Sequence, residues 1–184
     1  DPSDYTGMSF WIISAAMVAA TFFFWVERDR AVGKWKTSLT VAAMVTGIAA
    51  IHYFYMRGVW ASTGESPLVF RYVDWLLTVP LQIVEFYLIL AAIAVVKSSL
   101  FWRLLIASVI MLVAGYLGEV GSVNVWAGFV VGMLGWLYII YEVFAGEASQ
   151  INASKGTAAS QRAFNALRLI AVSYTHLTLP TIAI

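Results

Sequence analysis

Residues 71–85 read RYVDWLLTVPLQIVE, a stretch inside a long apolar run that nonetheless carries Arg71, Asp74, Thr78, Gln82 and Glu85. The steps between these residues are three, four, four and three, which keeps all five on one face of a helix. Asp74 and Glu85 are eleven residues apart, so at about 1.5 Å of rise per residue they sit roughly 16 Å apart along the axis and nearly in line. An ionisable group inside a membrane span costs roughly 2.5–3.5 kcal/mol even on lenient insertion scales, so the stripe must face other helices or a water-filled cavity. A polar seam that only joins helices is one reading. The other is a proton path with two stations, too far apart for direct transfer and in need of a carrier between them.

The surrounding composition makes that stripe a membrane feature. Of 184 residues, 61% are hydrophobic and 11% charged, and repeated apolar stretches near twenty residues long describe a multi-pass protein embedded in a lipid bilayer. A net charge of +1 gives no reason to expect a nucleic-acid partner. There is no cysteine, which excludes disulfides and thiol chemistry. Two histidines without carboxylates at suitable spacing give no metal site.

Hydropathy predicts spans over about residues 7–26, 38–55, 71–95, 100–117 and 125–144, with a sixth beginning at Gln161. His52 lies in the second span and Pro80 in the third. GVWASTGESPLVF, residues 58–70, is expected to be a loop with room for a short hairpin, and residues 146–160 a second loop. Lys and Arg cluster in the first, third and fifth connections, so those are expected to be cytoplasmic and the amino terminus outside. Asp74 then lies towards the exterior, and a relay from Glu85 to Asp74 runs outward. The start, DPSDYTG, reads as a processed terminus or a fragment.

RYVDWLLTVPLQIVEF closely resembles the third helix of the proteorhodopsins, bacterial light-driven proton pumps of the microbial rhodopsin family. HYFYMRGVW, EFYLILAA, GYLGE and YIIYEVFAGE extend the resemblance, which runs from about Asp4 to about Ala171. It implies an all-α membrane protein, a seven-helix bundle of which five helices and the start of the sixth are present. It also implies a location in the bacterial inner membrane, with retinal, carried on a lysine as a protonated Schiff base, as the link between the two carboxylates.

Residue roles follow from the same resemblance. Asp74 matches the proton acceptor and counterion, Arg71 the arginine that stabilises charge beside it, and Glu85 the proton donor. Flanked by Val84 and Phe86, Glu85 is expected to hold its proton, since desolvation favours the neutral acid. Thr78 completes the family's Asp-Thr-Glu signature for proton pumping. His52 matches a histidine that pairs with the acceptor, and in the family that histidine meets a first-span tryptophan of a neighbouring subunit, here Trp11, which implies a homo-oligomer. Trp75, Met111, Gly115 and Trp136 match positions lining the retinal pocket, although without the resemblance each reads as ordinary core packing. Gln82 sits at the position that sorts these pigments by colour, and glutamine there implies blue absorption. Glu119, near a span end on the outer side, fits either proton release or simple exposure.

The last residues depart from the pattern. VSYTHLTLPTIAI places Ser173, Thr175, His176, Thr178 and Pro180 where an apolar core should continue, and VSYTHLTLPT resembles one reading frame of a common sequencing adapter. Residues 1–171 are therefore expected to be a partial rhodopsin domain and 172–184 a non-native tail. Lys34, Lys36, Lys97 and Lys155 all lie in or beside connections, so none suits the retinal lysine, which the family carries on its seventh helix. Taken literally, the chain is expected to be unstable in a bilayer and to form no covalent pigment. The leading reading is an outward light-driven proton pump when complete, not an enzyme. The alternatives are a photosensory protein without net transport and a non-pigmented helical scaffold.

Overall fold

A bilayer core about 30 Å thick needs about 20 apolar residues in helical form to cross it, because lipid offers no partner to a bare N–H or C=O. The computed structural model is helical throughout. It describes residues 4–65 and 67–182, with side chains through Ser173. In chain order the helices are α1 (Tyr5–Glu27), a single 3₁₀ turn at Arg28–Arg30, α2 (Lys34–Thr63), α3 (Leu68–Ile93), α4 (Ser98–Glu119), α5 (Val125–Phe144), α6 (Glu147–Lys155) and α7 (Ala158–Ile182). Five of them, α1 to α5, are long and apolar enough to cross a membrane. Large apolar side chains stand on the outside, among them Trp126 at 74% exposure, Phe22 at 68% and Leu134 at 62%, as befits a protein whose solvent is hydrocarbon.

Two of the expected loops are helical. α2 continues to Thr63 instead of breaking near Tyr55, because nothing crowds Gly58 and no proline intervenes before Pro67. The helix stops at Gly64, whose φ of 69° allows its N–H to bond the Trp60 carbonyl at 2.8 Å, the left-handed cap that glycine adopts most readily. Four residues, 64–67, then separate α2 from α3, too few for a hairpin, and Ser66 is outside the described residues. The second expected loop holds α6, EASQINASK. Glycines flank it on both sides, and its first N–H bonds the Glu142 carboxylate at 3.0 Å. The α4–α5 connection is tight. Gly121 has φ of 74°, and Asn124 caps α5 by accepting from the N–H groups of Trp126 and Ala127.

The chain divides into two compact units, Asp1–Glu85 and Phe86–Ile184, with the division falling inside α3. In the first, α1 and α2 are joined along their length. The Asp4 carboxylate accepts the Trp60 indole N–H at 3.1 Å, Phe10 and Trp11 meet Tyr53 and Phe54, and the Thr21 and Thr46 hydroxyls are 2.9 Å apart.

In the second unit α4 and α5 cross at close quarters. A Cβ on Gly128 would lie 2.7 Å from the Ala114 carbonyl and 2.9 Å from Gly118 Cα, and one on Gly135 would lie 2.9 Å from the Ala107 carbonyl. Small residues here let the two backbones touch. Phe164 of α7 is fully buried and stands edge-on to Phe86 at 5.5 Å between ring centres. The segment expected to be a non-native tail is helical through Ile182; Ala183 and Ile184 lie outside the described residues.

Candidate functional site

α3 is continuous from Leu68 to Ile93 through Pro80, whose missing N–H removes one bond from the ladder without ending the helix. The stripe predicted from spacing therefore lies on one uninterrupted face. Its amino-terminal half is buried, Asp74 at 2% exposure and Thr78 at 0%, while Gln82 and Glu85 are half-buried. The Thr78 hydroxyl donates to the Asp74 main-chain carbonyl at 2.9 Å, so Thr78 steadies the backbone below the carboxylate. Among the described residues, the Glu85 carboxyl has neither a hydrogen bond nor an ion pair.

His52 and Asp74 are brought together. Imidazole Nδ1 lies 3.3 Å from Asp74 Oδ1 and 3.0 Å from the Ile48 carbonyl one turn back on α2. One ring nitrogen thus faces two acceptors. The contact with the carboxylate lacks hydrogen-bond alignment, and Oδ1 receives no hydrogen bond although it is buried. The histidine is positioned by its own helix and approaches the carboxylate electrostatically.

Three aromatic rings neighbour Arg71 or Asp74 on this stretch of the fold. The Arg71 guanidinium lies 5.7 Å from the centre of the Trp75 ring, and Tyr72 meets the same indole edge-on at 5.2 Å. Trp75 is buried. Tyr53 interacts electrostatically with both Asp74 and Arg71, a neighbour that sequence spacing alone did not single out. Its signal was adjacency to His52. Trp11 is half exposed and meets Phe54 at a tilt, 5.5 Å between ring centres, two residues beyond His52 on α2.

Trp75 and Gln82 belong to the first unit, and Met111, Gly115 and Trp136 to the second. Within the second, Met111 and Gly115 lie on the side of α4 that meets the α5 glycines. A Cβ on Gly132 would fall 3.4 Å from the Met111 carbonyl and 3.9 Å from Gly115 N. Trp136 is half-buried, and its indole N–H points to the Ala171 carbonyl of α7 at 3.4 Å. Glu119 is the last residue of α4 and half-buried.

A second carboxylate cluster, around Glu142, lies outside the residues singled out from the sequence. Glu142 is buried at 3% exposure. It takes the Tyr138 hydroxyl at 3.0 Å, the Glu147 N–H at 3.0 Å and the Arg103 guanidinium at 3.4 Å, while Arg103 also binds Glu147. The available signal was the Tyr138–Glu142 spacing of one helical turn. Arg168 of α7 completes this end of the unit. It donates to the Val143 carbonyl at 2.8 Å and to Ser149 at 2.7 Å, between the rings of Phe144 and Phe164.

Residues 4–177 match the model of the bacteriorhodopsin-like protein family. The chain is 57% identical over 172 residues to the green-light absorbing proteorhodopsin of Gamma-proteobacterium EBAC31A08, covering 94% of this chain and 69% of that protein. It is 56% identical to the blue-light absorbing proteorhodopsin of Gamma-proteobacterium Hot 75m4, with 94% and 68% covered. The crystal structure of a blue light-absorbing proteorhodopsin from Med12 superposes with a TM-score of 0.80 at 52% identity, over 97% of this chain and 80% of that one. The chain accordingly belongs to the bacteriorhodopsin-like family of multi-pass membrane proteins, transporters and not enzymes, as a homologue of the proteorhodopsins.

Proposed function

We propose that this chain carries the proton-handling half of an outward, light-driven proton pump that uses retinal and absorbs in the blue. The observation that supports it best is buried Asp74, met by His52 of α2 at 3.3 Å and carried on the same α3 face as Glu85, eleven residues further along. The donor set also fits the cofactor. Asp74 Oδ1 is buried and receives no hydrogen bond, so it suits a cationic group such as a protonated Schiff base, which would satisfy it in charge and in hydrogen bonding. Trp75 and Gln82 on α3, Met111 and Gly115 on α4 and Trp136 on α5 are the residues proposed to contact retinal. The lysine that would carry it is not one of the four in these 184 residues.

Retinal, when bound, supplies light-driven isomerisation and a movable proton between the two carboxylates. The chain's own residues do the rest. Asp74 accepts a proton on the outer half, and its two helical neighbours serve that step: Thr78 holds the main chain beneath it, and Arg71 offers positive charge one turn away. His52 stands beside the carboxylate, its ring fixed by the bond to the Ile48 carbonyl. Glu85 keeps its proton until the inner half calls for it, as a carboxyl without a cationic partner does in an apolar setting. Outward direction follows from the basic residues in the first, third and fifth connections.

Colour rests on one side chain. Overall identity to the green and blue relatives is 57% and 56%, which does not separate them, whereas Gln82 places a polar amide on the stripe. Trp11, exposed beside Phe54, is proposed to face a neighbouring copy. The experiment is to express a form carrying the retinal lysine in cells and to illuminate an unbuffered suspension. Pumping acidifies the medium steadily, and an uncoupler abolishes the signal. A pigment that bleaches and recovers without a pH change is a photosensor instead, and the proposal fails.

A further inference from the structure

The turn between α1 and α2 has no part in the proton path, yet charge and aromatic surface concentrate there. α1 ends in Trp25, Val26 and Glu27, the 3₁₀ turn supplies Arg28, Asp29 and Arg30, and α2 opens with Lys34, Trp35 and Lys36. Gly33, at φ of 59°, reverses the chain so that the two basic groups converge. The convergence is visible in Asp29, whose Oδ1 lies 3.5 Å from Lys36 Nζ and 4.0 Å from Arg28 Nε. One carboxylate oxygen thus serves two cations. Arg30 pairs with Glu27 at 2.7 Å, and Lys34 adds its own charge. Across the turn four cations stand against two carboxylates, a surplus of two positive charges.

Apolar surface flanks that charge. The Arg28 guanidinium lies 4.4 Å from the centre of the Trp25 ring, and Trp25, Val26 and Val32 are 54%, 59% and 80% exposed. A tryptophan at the end of a span sits at headgroup depth. A guanidinium over its ring is held close to the same level. Val26 and Val32 are left largely uncovered among the described residues.

We propose that this turn binds the phosphate headgroup of an anionic phospholipid, with Arg28 and Lys36 as its principal contacts, Trp25 as the anchor that fixes depth, and Asp29 as the residue that limits the affinity. An anionic lipid adds a phosphate where Asp29 alone leaves two cations half-neutralised, and its chains cover the surface of Val26 and Val32. A free phosphate offers only the first of these.

The test uses the full chain in detergent with mixed micelles of phosphatidylglycerol and phosphatidylcholine, reading by native mass spectrometry which lipid stays bound. Phosphatidylglycerol should be retained preferentially. The Arg28→Gln/Lys36→Gln variant should lower that preference by about fivefold or more, as expected for basic residues at a membrane surface. Asp29→Asn should raise it, a gain that misfolding does not produce, and Lys97→Gln/Lys155→Gln should leave it unchanged. Inorganic phosphate should not displace the lipid. Equal retention of both lipids, equal loss in the Lys97/Lys155 variant, or displacement by inorganic phosphate would overturn the proposal.

Discussion

His52 Nδ1 lies 3.3 Å from Asp74 Oδ1 and 3.0 Å from the Ile48 carbonyl, so one imidazole nitrogen is shared between a buried carboxylate and the histidine's own helix. The second contact has a physical role. It fixes the ring by a bond within α2, so the approach to Asp74 does not depend on the carboxylate's charge. A histidine tied this way stays beside Asp74 whether that side chain is ionised or neutral.

The first prediction concerns this pair. In a form that carries retinal, Asp74→Asn abolishes outward proton movement. Residues that touch within a buried network are energetically coupled, typically by about 0.5–3 kcal/mol. His52→Gln, Asp74→Asn and the double variant therefore give a non-zero cycle in detergent-induced unfolding followed by circular dichroism. Additive losses would show that the two are neighbours only.

Glu85 has no ion pair and no hydrogen bond among the described residues, which suits the donor role proposed for it. Glu85→Gln leaves the first proton transfer intact and slows recovery of the resting pigment, by about 10²–10⁴ if Glu85 acts as a general acid. Flash photolysis separates the two phases. Glu85→Asp restores part of the rate, and an unchanged recovery in Glu85→Gln would remove Glu85 from the donor role.

Much of this architecture was legible because α3 writes its own geometry: five polar residues at helical spacing in an apolar run fix both the secondary structure and the face. α5 likewise begins and ends where hydropathy placed it, at Val125 and Phe144. The failures share a cause. Gly58, Ser62 and Thr63 look like turn residues but are helical, because a hydroxyl that bonds the carbonyl one turn back, as Thr63 does to Val59 at 2.8 Å, is as content in a helix as in a loop. α6 is short and mostly polar, so it is held by contacts from elsewhere, chiefly Glu142 and Arg168. Glu142 was missed for the same reason: its burial depends on Arg103, 39 positions away, which no local pattern reports.

Gln82→Leu tests the colour assignment. The substitution removes the amide and keeps the volume nearly constant, so the pigment should retain pumping while its absorption band moves to longer wavelength. A band that stays in place in Gln82→Leu would assign the colour to other residues.

The α4–α5 crossing makes a stability prediction with its own control. A methyl on Gly128 meets main-chain atoms of Ala114 and Gly118 at 2.7 and 2.9 Å, and backbone does not swing aside as a side chain would. Gly128→Ala is expected to destabilise by about 1–3 kcal/mol through overpacking. Gly58→Ala also adds a methyl within a helix, but meets nothing within 4 Å, and should stabilise by about 0.4–1 kcal/mol. Detergent unfolding of the two variants side by side checks the contrast.

Asp4 sets a pH-dependent clasp at the amino-terminal end. Its Oδ1 accepts the Gly7 N–H at 2.8 Å and the Trp60 indole N–H at 3.1 Å. Chiefly through the Gly7 bond and then the Trp60 bond, its carboxyl is held below the usual carboxylate range, since both bonds favour the charged form. A group whose folded value is depressed adds stability that is fully present above the ordinary value of about 4 and is lost as pH falls through the lower folded value. Hydrogen-exchange protection of the first turn of α1, corrected for intrinsic rates, should therefore hold at neutral pH and fall in acid. Asn also caps helices but does not titrate, so Asp4→Asn should keep a pH-independent protection. The same acid step in Asp4→Asn would assign the transition to another group.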